Sequence, residues 1–155
     1  MPIITPDKMV IERNDGDHPC GPSEVRWIGD PGGLTQFGAF EEVLAPGSRS
    51  ALKHWHLAED EMVYVLSGEV TVIEGQQVTI LRSGDAATFP AGVEQGHHLE
   101  NRSLEACRYL VVGTRAETDV ITYPDTGKRC IRVRSLEDDL WIDAGGNPTL
   151  SAYRD

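Results

Sequence analysis

Four of the five histidines in this 155-residue chain fall into two short clusters, and the first has the spacing of a metal site. It reads His54-Trp55-His56-Leu57-Ala58-Glu59-Asp60-Glu61: two imidazoles at i and i+2, then a carboxylate five residues on. On a β-strand, residues i and i+2 share a face roughly 6.5–7 Å apart, so two imidazoles can converge on one ion with bonds of ~2.0–2.2 Å. A short turn over 57–60 is expected to return Glu61 on the neighbouring strand, about 4.8 Å across the ladder, so that one hairpin supplies three ligands. Alternation then puts Val63 and Val65 on the side of Glu61 as an apolar wall and turns Lys53, Trp55 and Leu57 away. In the second cluster, Gly96-His97-His98-Leu99-Glu100-Asn101, consecutive histidines point to opposite faces, so only one of them serves as a fourth ligand. Three imidazoles and one carboxylate leave positions on a five- or six-coordinate ion open to water, dioxygen or substrate.

Positioning these groups falls to β-structure. Helical periodicity is scarce, while short runs rich in Val, Ile, Thr, Tyr and Phe recur between Gly, Pro, Asp and Ser. The pattern predicts strands over 36–44, 51–56, 61–66, 69–73, 77–81, 86–89, 97–101 and 107–112. Ala45-Pro46-Gly47, Ser67-Gly68, Glu74-Gly75, Ser83-Gly84-Asp85 and Pro90-Ala91-Gly92 supply the turns. Links this short imply antiparallel pairing, and about eight such strands suit a jelly roll or small barrel, which shields most strand edges.

Residues 1–34 read as an N-terminal arm with one edge strand near Val25-Arg26-Trp27-Ile28, which either packs on the sheet or crosses to a second copy. Residues 35–114 read as the barrel core, and 115–155 as an extension packed on it, with strands expected at 119–123 and 131–133. All three belong to one domain, the size a single core supports. A formal charge of −11, from 14 basic and 25 acidic side chains, disfavours nucleic acid. Nothing approaches the ~20 apolar residues of a membrane helix. Met1 to Asn14 lacks the layout of a secretory signal, and Cys20, Cys107 and Cys130 are odd in number and widely spaced, so a reducing cytoplasm is the expected compartment.

The two clusters and their flanking glycines resemble the motifs of the cupin superfamily. Gly47, His54, His56, Glu61 and Gly68 occupy the first motif, whose leading spacer is here one residue longer than the common form; Gly84, Pro90, Gly92 and Asn101 occupy the second. Counting from Gly92 puts Gln95 in the second motif's ligand position; counting back from Asn101 puts His97 there, with a two-residue insertion in the loop. Imidazole suits borderline divalent ions better than an amide, which ranks His97 first, His98 next and Gln95 last. The resemblance, spanning about 36–114, implies an all-β fold of the cupin type, a double-stranded β-helix or jelly-roll barrel. It also implies one divalent transition metal (Zn, Mn, Fe or Ni) on His54, His56, Glu61 and His97, and a homodimer.

Function is less constrained, because cupins include dioxygenases, decarboxylases, isomerases, epimerases, storage proteins and sensors. The leading expectation is an enzyme whose open metal acts on a small oxygen-bearing molecule, by dioxygenase-type or by isomerase- or lyase-type chemistry. A non-catalytic ligand-binding or sensor barrel is the alternative from another class, and a metal-stabilised barrel without turnover a third. A sugar-phosphate isomerase needs cations near the pocket, for which Arg49, Lys53, Arg82, Arg102 and Arg108 are the candidates nearest in sequence. Tyr64 is expected to pack and Tyr109 to line the cavity or fill the core. Cys107 is read as a buried small side chain and His18 as an exposed loop residue.

Overall fold

The computed structural model describes residues 1–154; Asp155, the end of the expected extension, lies outside the described residues. Its thirteen described strands are β1 (Val10–Asn14), β2 (Ser23–Trp27), β3 (Phe37–Leu44), β4 (Trp55–His56), β5 (Glu61–Ser67), β6 (Glu69–Glu74), β7 (Gln77–Arg82), β8 (Ala86–Phe89), β9 (His97–Glu100), β10 (Cys107–Thr114), β11 (Thr118–Tyr123), β12 (Lys128–Val133) and β13 (Leu140–Ile142). A single 3-10 turn, Pro6–Lys8, precedes them. No helix among the described residues is long and apolar enough to cross a membrane.

Every strand pair is antiparallel. One sheet runs β1-β2-β3-β10-β5-β8, a second β13-β12-β11-β4 and a third β7-β6-β9. The second and third are joined where His54 and His97 exchange backbone hydrogen bonds, His54 N–H to His97 O at 3.1 Å and the reverse at 2.8 Å. The two smaller sheets thus form one layer facing the six-stranded sheet, which is the expected double-stranded β-helix. Alternate residues of β3, β5, β6, β9 and β10 meet between the layers: Leu44, Val63, Val65, Val70, Leu99, Cys107 and Tyr109 are each at most 2% exposed. A satellite core of Ile121, Tyr123 and Cys130, with Leu52, Trp141 and Tyr153 against it, seats the C-terminal strands.

Two expectations need correction. The segment 51–56 is a regular strand only at Trp55–His56. It changes neighbour midway, from His97 at His54 to Ile121 at His56, and a chain that switches partners cannot hold one ladder. Nor do β4 and β5 form a hairpin: β4 pairs with β11, whereas β5 pairs with β10 and β8. Residues 57–60 cross from one layer to the other, held by Leu57 N–H on Val120 O (3.1 Å), Asp60 N–H on Thr114 Oγ1 (2.8 Å) and Ala91 N–H on Asp60 Oδ1 (2.8 Å). Strands β1 and β13 were not anticipated. All five β1 residues are exposed, so they leave no alternating signal of burial.

Gly68 makes the one-residue link that carries the chain from β5 to β6. Its φ is +78°, and a Cβ there would stand 3.0 Å from the Cys107 Cα, whereas at Gly84 (φ +94°) a Cβ would meet nothing within 4 Å. Gly84→Ala should therefore cost about 1–2 kcal/mol from the left-handed backbone alone. Gly68→Ala should cost ~1–3 kcal/mol more from overpacking. Urea unfolding of the two variants checks this, and equal costs would contradict the close approach at Gly68.

Candidate metal centre

His54, His56 and Glu61 come together although they lie in opposite layers: each offers a ligand-type atom within 4.8 Å of those of the other two. Glu61 Oε2 lies 3.8 Å from His56 Nε2 and 3.7 Å from His97 Nε2. His97 is 3% exposed, its ring stacks on Phe89 at 3.7 Å, and its centroid is 5.0 Å from that of His54. Across β10, the residue opposite Glu61 is Gly113, which leaves space beside the carboxylate.

The proton positions follow from the partners. His54 Nδ1 lies 2.8 Å from Leu52 O, and His56 Nδ1 2.6 Å from Asp119 Oδ2. A carbonyl or an ionised carboxylate only accepts, so both Nδ1 atoms carry hydrogen and both Nε2 lone pairs are free to bind a cation. His97 Nε2 is buried without a hydrogen-bond partner. At bonds of ~2.1 Å, two ligand atoms on one ion stand roughly 3.0 Å apart at a right angle and 4.2 Å when opposite. The 3.8 Å separation of Glu61 from His56, too long for a hydrogen bond, therefore fits a divalent ion shared by His54, His56 and Glu61, whereas His97 approaches Glu61 alone at 3.7 Å and stands outside the group whose ligand atoms all lie within 4.8 Å.

Electrostatics agree with that fit. Burial pushes the His54 imidazole down to about 4, so it stays neutral and able to ligate. Burial would raise the Glu61 carboxyl, but the three surrounding imidazoles outweigh it and hold the group below the usual carboxylate range. The sequence alternatives separate in space. His98 turns away, its Nε2 bonded to Glu100 at 2.9 Å, and Gln95 is exposed with its side chain over Gly75.

The cluster opens into a cavity of about 370 Å³ whose walls include Phe40, Glu42, Val63, Leu99, Tyr109 and Ile121. Tyr109 lines it, as allowed, and Tyr64 faces outward at 40% exposure. Glu42 was not anticipated. It sits opposite Tyr109 across the β3–β10 ladder, accepts the phenol hydrogen at 2.7 Å and is 7% exposed. Burial pushes its carboxyl up to about 7; the Tyr109 hydrogen bond opposes the rise and the Glu61 charge adds to it. A lone Glu on the buried face of a strand was the available signal.

The cations of the cavity are not the expected ones. Arg49, Lys53, Arg82, Arg102 and Arg108 are absent from its lining; Lys53 pairs with Asp125 (3.8 Å), Arg82 with Glu69 (2.9 Å) and Arg108 with Glu41 (3.7 Å). Arg115, Arg132 and Arg134 line it instead, brought by the chain after the barrel. Arg134 holds Glu59 at 2.7 Å and Arg132 grips Asp139 through two contacts of 3.2 and 2.9 Å. Nearness in sequence misled because the pocket mouth is built by a distant hairpin. His18 is half-buried rather than exposed: its Nδ1 accepts Cys20 N–H at 3.2 Å. All three cysteines are buried and free.

Comparisons with known proteins bear on the same residues. A family model described as Cupin domain matches residues 40–113. Among solved structures, a sugar phosphate isomerase of the cupin superfamily from Silicibacter pomeroyi is 31% identical, with 97% of this chain and 98% of that one covered at a TM-score of 0.85. A candidate sugar phosphate isomerase from Acidithiobacillus ferrooxidans is 29% identical, covering 89% and 90% at 0.77. A predicted oxalate decarboxylase from Thermotoga maritima shares the fold at 20% identity, covering 74% and 100% at 0.63. No curated protein matches the chain.

Glu42 gives a pH test. Its folded-state pKa of about 7 exceeds the ordinary 4.5, so the folded protein binds the extra proton and that stability is lost as pH rises through 7. Glu42→Gln stays neutral and keeps the Tyr109 contact, so its melting temperature relative to wild type should climb between pH 5 and 8. A constant difference across that range would place the ionisation elsewhere.

Proposed function

The chain belongs to the cupin superfamily, and from that membership we propose that it is a metal-dependent isomerase acting on a small phosphorylated sugar, with His54, His56, Glu61 and His97 as the ligands. The observation that carries this reading is one cavity lined by His54, His56 and Glu61, by Glu42, whose carboxyl burial pushes up to about 7, and by the guanidinium groups of Arg115, Arg132 and Arg134. The likeness to the Silicibacter pomeroyi sugar phosphate isomerase over 97% of the chain supports it.

A divalent ion bound there supplies Lewis acidity toward the carbonyl and hydroxyl oxygens of the sugar. Glu42 is the proposed base: as carboxylate it takes the proton from the carbon next to the carbonyl and returns it to the former carbonyl carbon, while the hydroxyl proton on the first carbon's oxygen passes to the former carbonyl oxygen, so that no proton is gained or lost overall. A pKa near the working pH suits both halves of that transfer. Tyr109 holds the carboxyl in one orientation through its 2.7 Å hydrogen bond. The phosphate is read by Arg132 and Arg134, each of which has five N–H donors and spends only part of them on Asp139, Glu59 and the Ala116 carbonyl. The apolar walls at Val63, Leu99 and Ile121 exclude water from the reacting carbons.

Pairing of two copies belongs to the same proposal. Tyr64 beside Leu110 and Met62 beside Val112 form an apolar strip on the outward face of the six-stranded sheet.

Elemental analysis of the purified protein, then aldose–ketose assays on sugar phosphates, tests the reading. His54→Ala, His56→Ala and His97→Ala should each lose most of the metal and His98→Ala little. Glu42→Gln should keep the metal and lose about 10²- to 10⁴-fold in kcat. Iron content with dioxygen uptake and no isomerisation would replace this reading with oxygenase chemistry.

A further inference from the structure

We infer that Asp119, on the strand that follows the barrel, is a positioning residue for the metal centre, holding the His56 ring so that Nε2 rather than Nδ1 faces the ion. The inference rests on His56 being a ligand. It makes part of the C-terminal chain a component of the site, outside the 40–113 span that the family model matches.

The first observation is the burial of Asp119. It is 1% exposed and shares its strand face with Ile121 and Tyr123, which are 3% and 6% exposed. An ionised carboxylate on an apolar face is costly unless each oxygen is satisfied. Here the oxygens divide the work: Oδ2 accepts His56 Nδ1–H at 2.6 Å and Oδ1 accepts Ala58 N–H at 2.8 Å. Burial would raise this carboxyl, but those hydrogen bonds hold it below the usual range.

The second observation is the register. Ile121 pairs with His56, and Leu57 N–H bonds Val120 O at 3.1 Å, so the backbones of β4 and β11 fix both ends of the contact. The imidazole cannot swing without breaking a hydrogen bond whose acceptor is itself immobile. Ligating histidines are oriented in this way by a carboxylate on the other nitrogen.

Asparagine separates this role from simple support of the 57–60 crossing. Asp119→Asn has nearly the same shape but one acceptor oxygen. If that oxygen serves Ala58 N–H, the amide NH₂ faces His56 Nδ1, and Nδ1 must become the acceptor, which moves the ring proton to Nε2 and removes the lone pair needed for metal. If the amide flips, its NH₂ opposes the Ala58 donor. A structural role predicts that the isosteric change is mild; a positioning role predicts that it is at least as harmful to the site as Asp119→Ala, which leaves the ring free to choose its tautomer.

The experiment has two arms. In metal-stripped protein, ¹⁵N shifts of the His56 ring report the tautomer: Nδ1–H is expected in wild type and Nε2–H in Asp119→Asn. Nε2–H in wild type, or an unchanged tautomer in a variant whose Ala58 amide stays as protected from hydrogen exchange as in wild type, overturns the inference without reference to metal. In the second arm, zinc ion alone is titrated against a chelator, with melting curves of the metal-free forms to confirm folding. Asp119→Asn is expected to bind about 10- to 100-fold more weakly, as is usual when the outer partner of a ligand is removed. Affinity within about twofold of wild type, while His56→Ala loses zinc, overturns the Asp119 role alone. Retention of zinc by His56→Ala overturns the ligand assignment and this inference with it.

Discussion

The reciprocal backbone hydrogen bonds between His54 and His97 are the contact on which the architecture depends. They convert two small sheets into one layer and so close the jelly roll around its core. The same pair sets two imidazoles side by side, because residues opposed in an antiparallel bridge project their side chains to the same face. Glu61 arrives from the facing layer, so the cluster spans the sandwich and exists only when both layers are docked.

That geometry explains how polar groups are distributed inside a largely valine and leucine core. Glu61 is compensated by imidazoles, Glu42 by the Tyr109 phenol, and Asp119 by His56 and a backbone amide. Glu42 and Glu61 line the same cavity, and Asp119 stands behind it, bonded to His56. Asn101, equally buried, does something different: it donates to Leu44 O and Glu105 O and accepts from Ser103, pinning the loop between β9 and β10. One motif asparagine is therefore architectural while the neighbouring motif histidine faces the cluster.

How much of this was legible depended on whether the pairing was local. Between residues 36 and 114, glycine and proline turns punctuate alternating strands, and apart from the segment before His54 the expected strands coincide closely with the observed ones. The His-x-His spacing marked His54, His56 and Glu61 as companions, though the hairpin assumed for them is in fact a crossing between layers. Arg134 and Asp119 escaped because their partners, Glu59 and His56, lie 75 and 63 residues away, and no local pattern encodes that meeting. A trace was present at Asp119, where one carboxylate interrupts the apolar face of Ile121 and Tyr123.

The hydrogen bond from His56 to Asp119 also has a thermodynamic reading. Ligand occupancy at one end of a rigid contact and docking of the strand at the other are linked equilibria, so an ion held by His56 would stabilise the docked β11–β12 hairpin by at most RT ln(1 + [L]/Kd), the limit in which the frayed form does not bind it. A metal on that site would then protect the β11–β12 hairpin from fraying and proteolysis in proportion to how much more tightly the docked chain holds it than the frayed one.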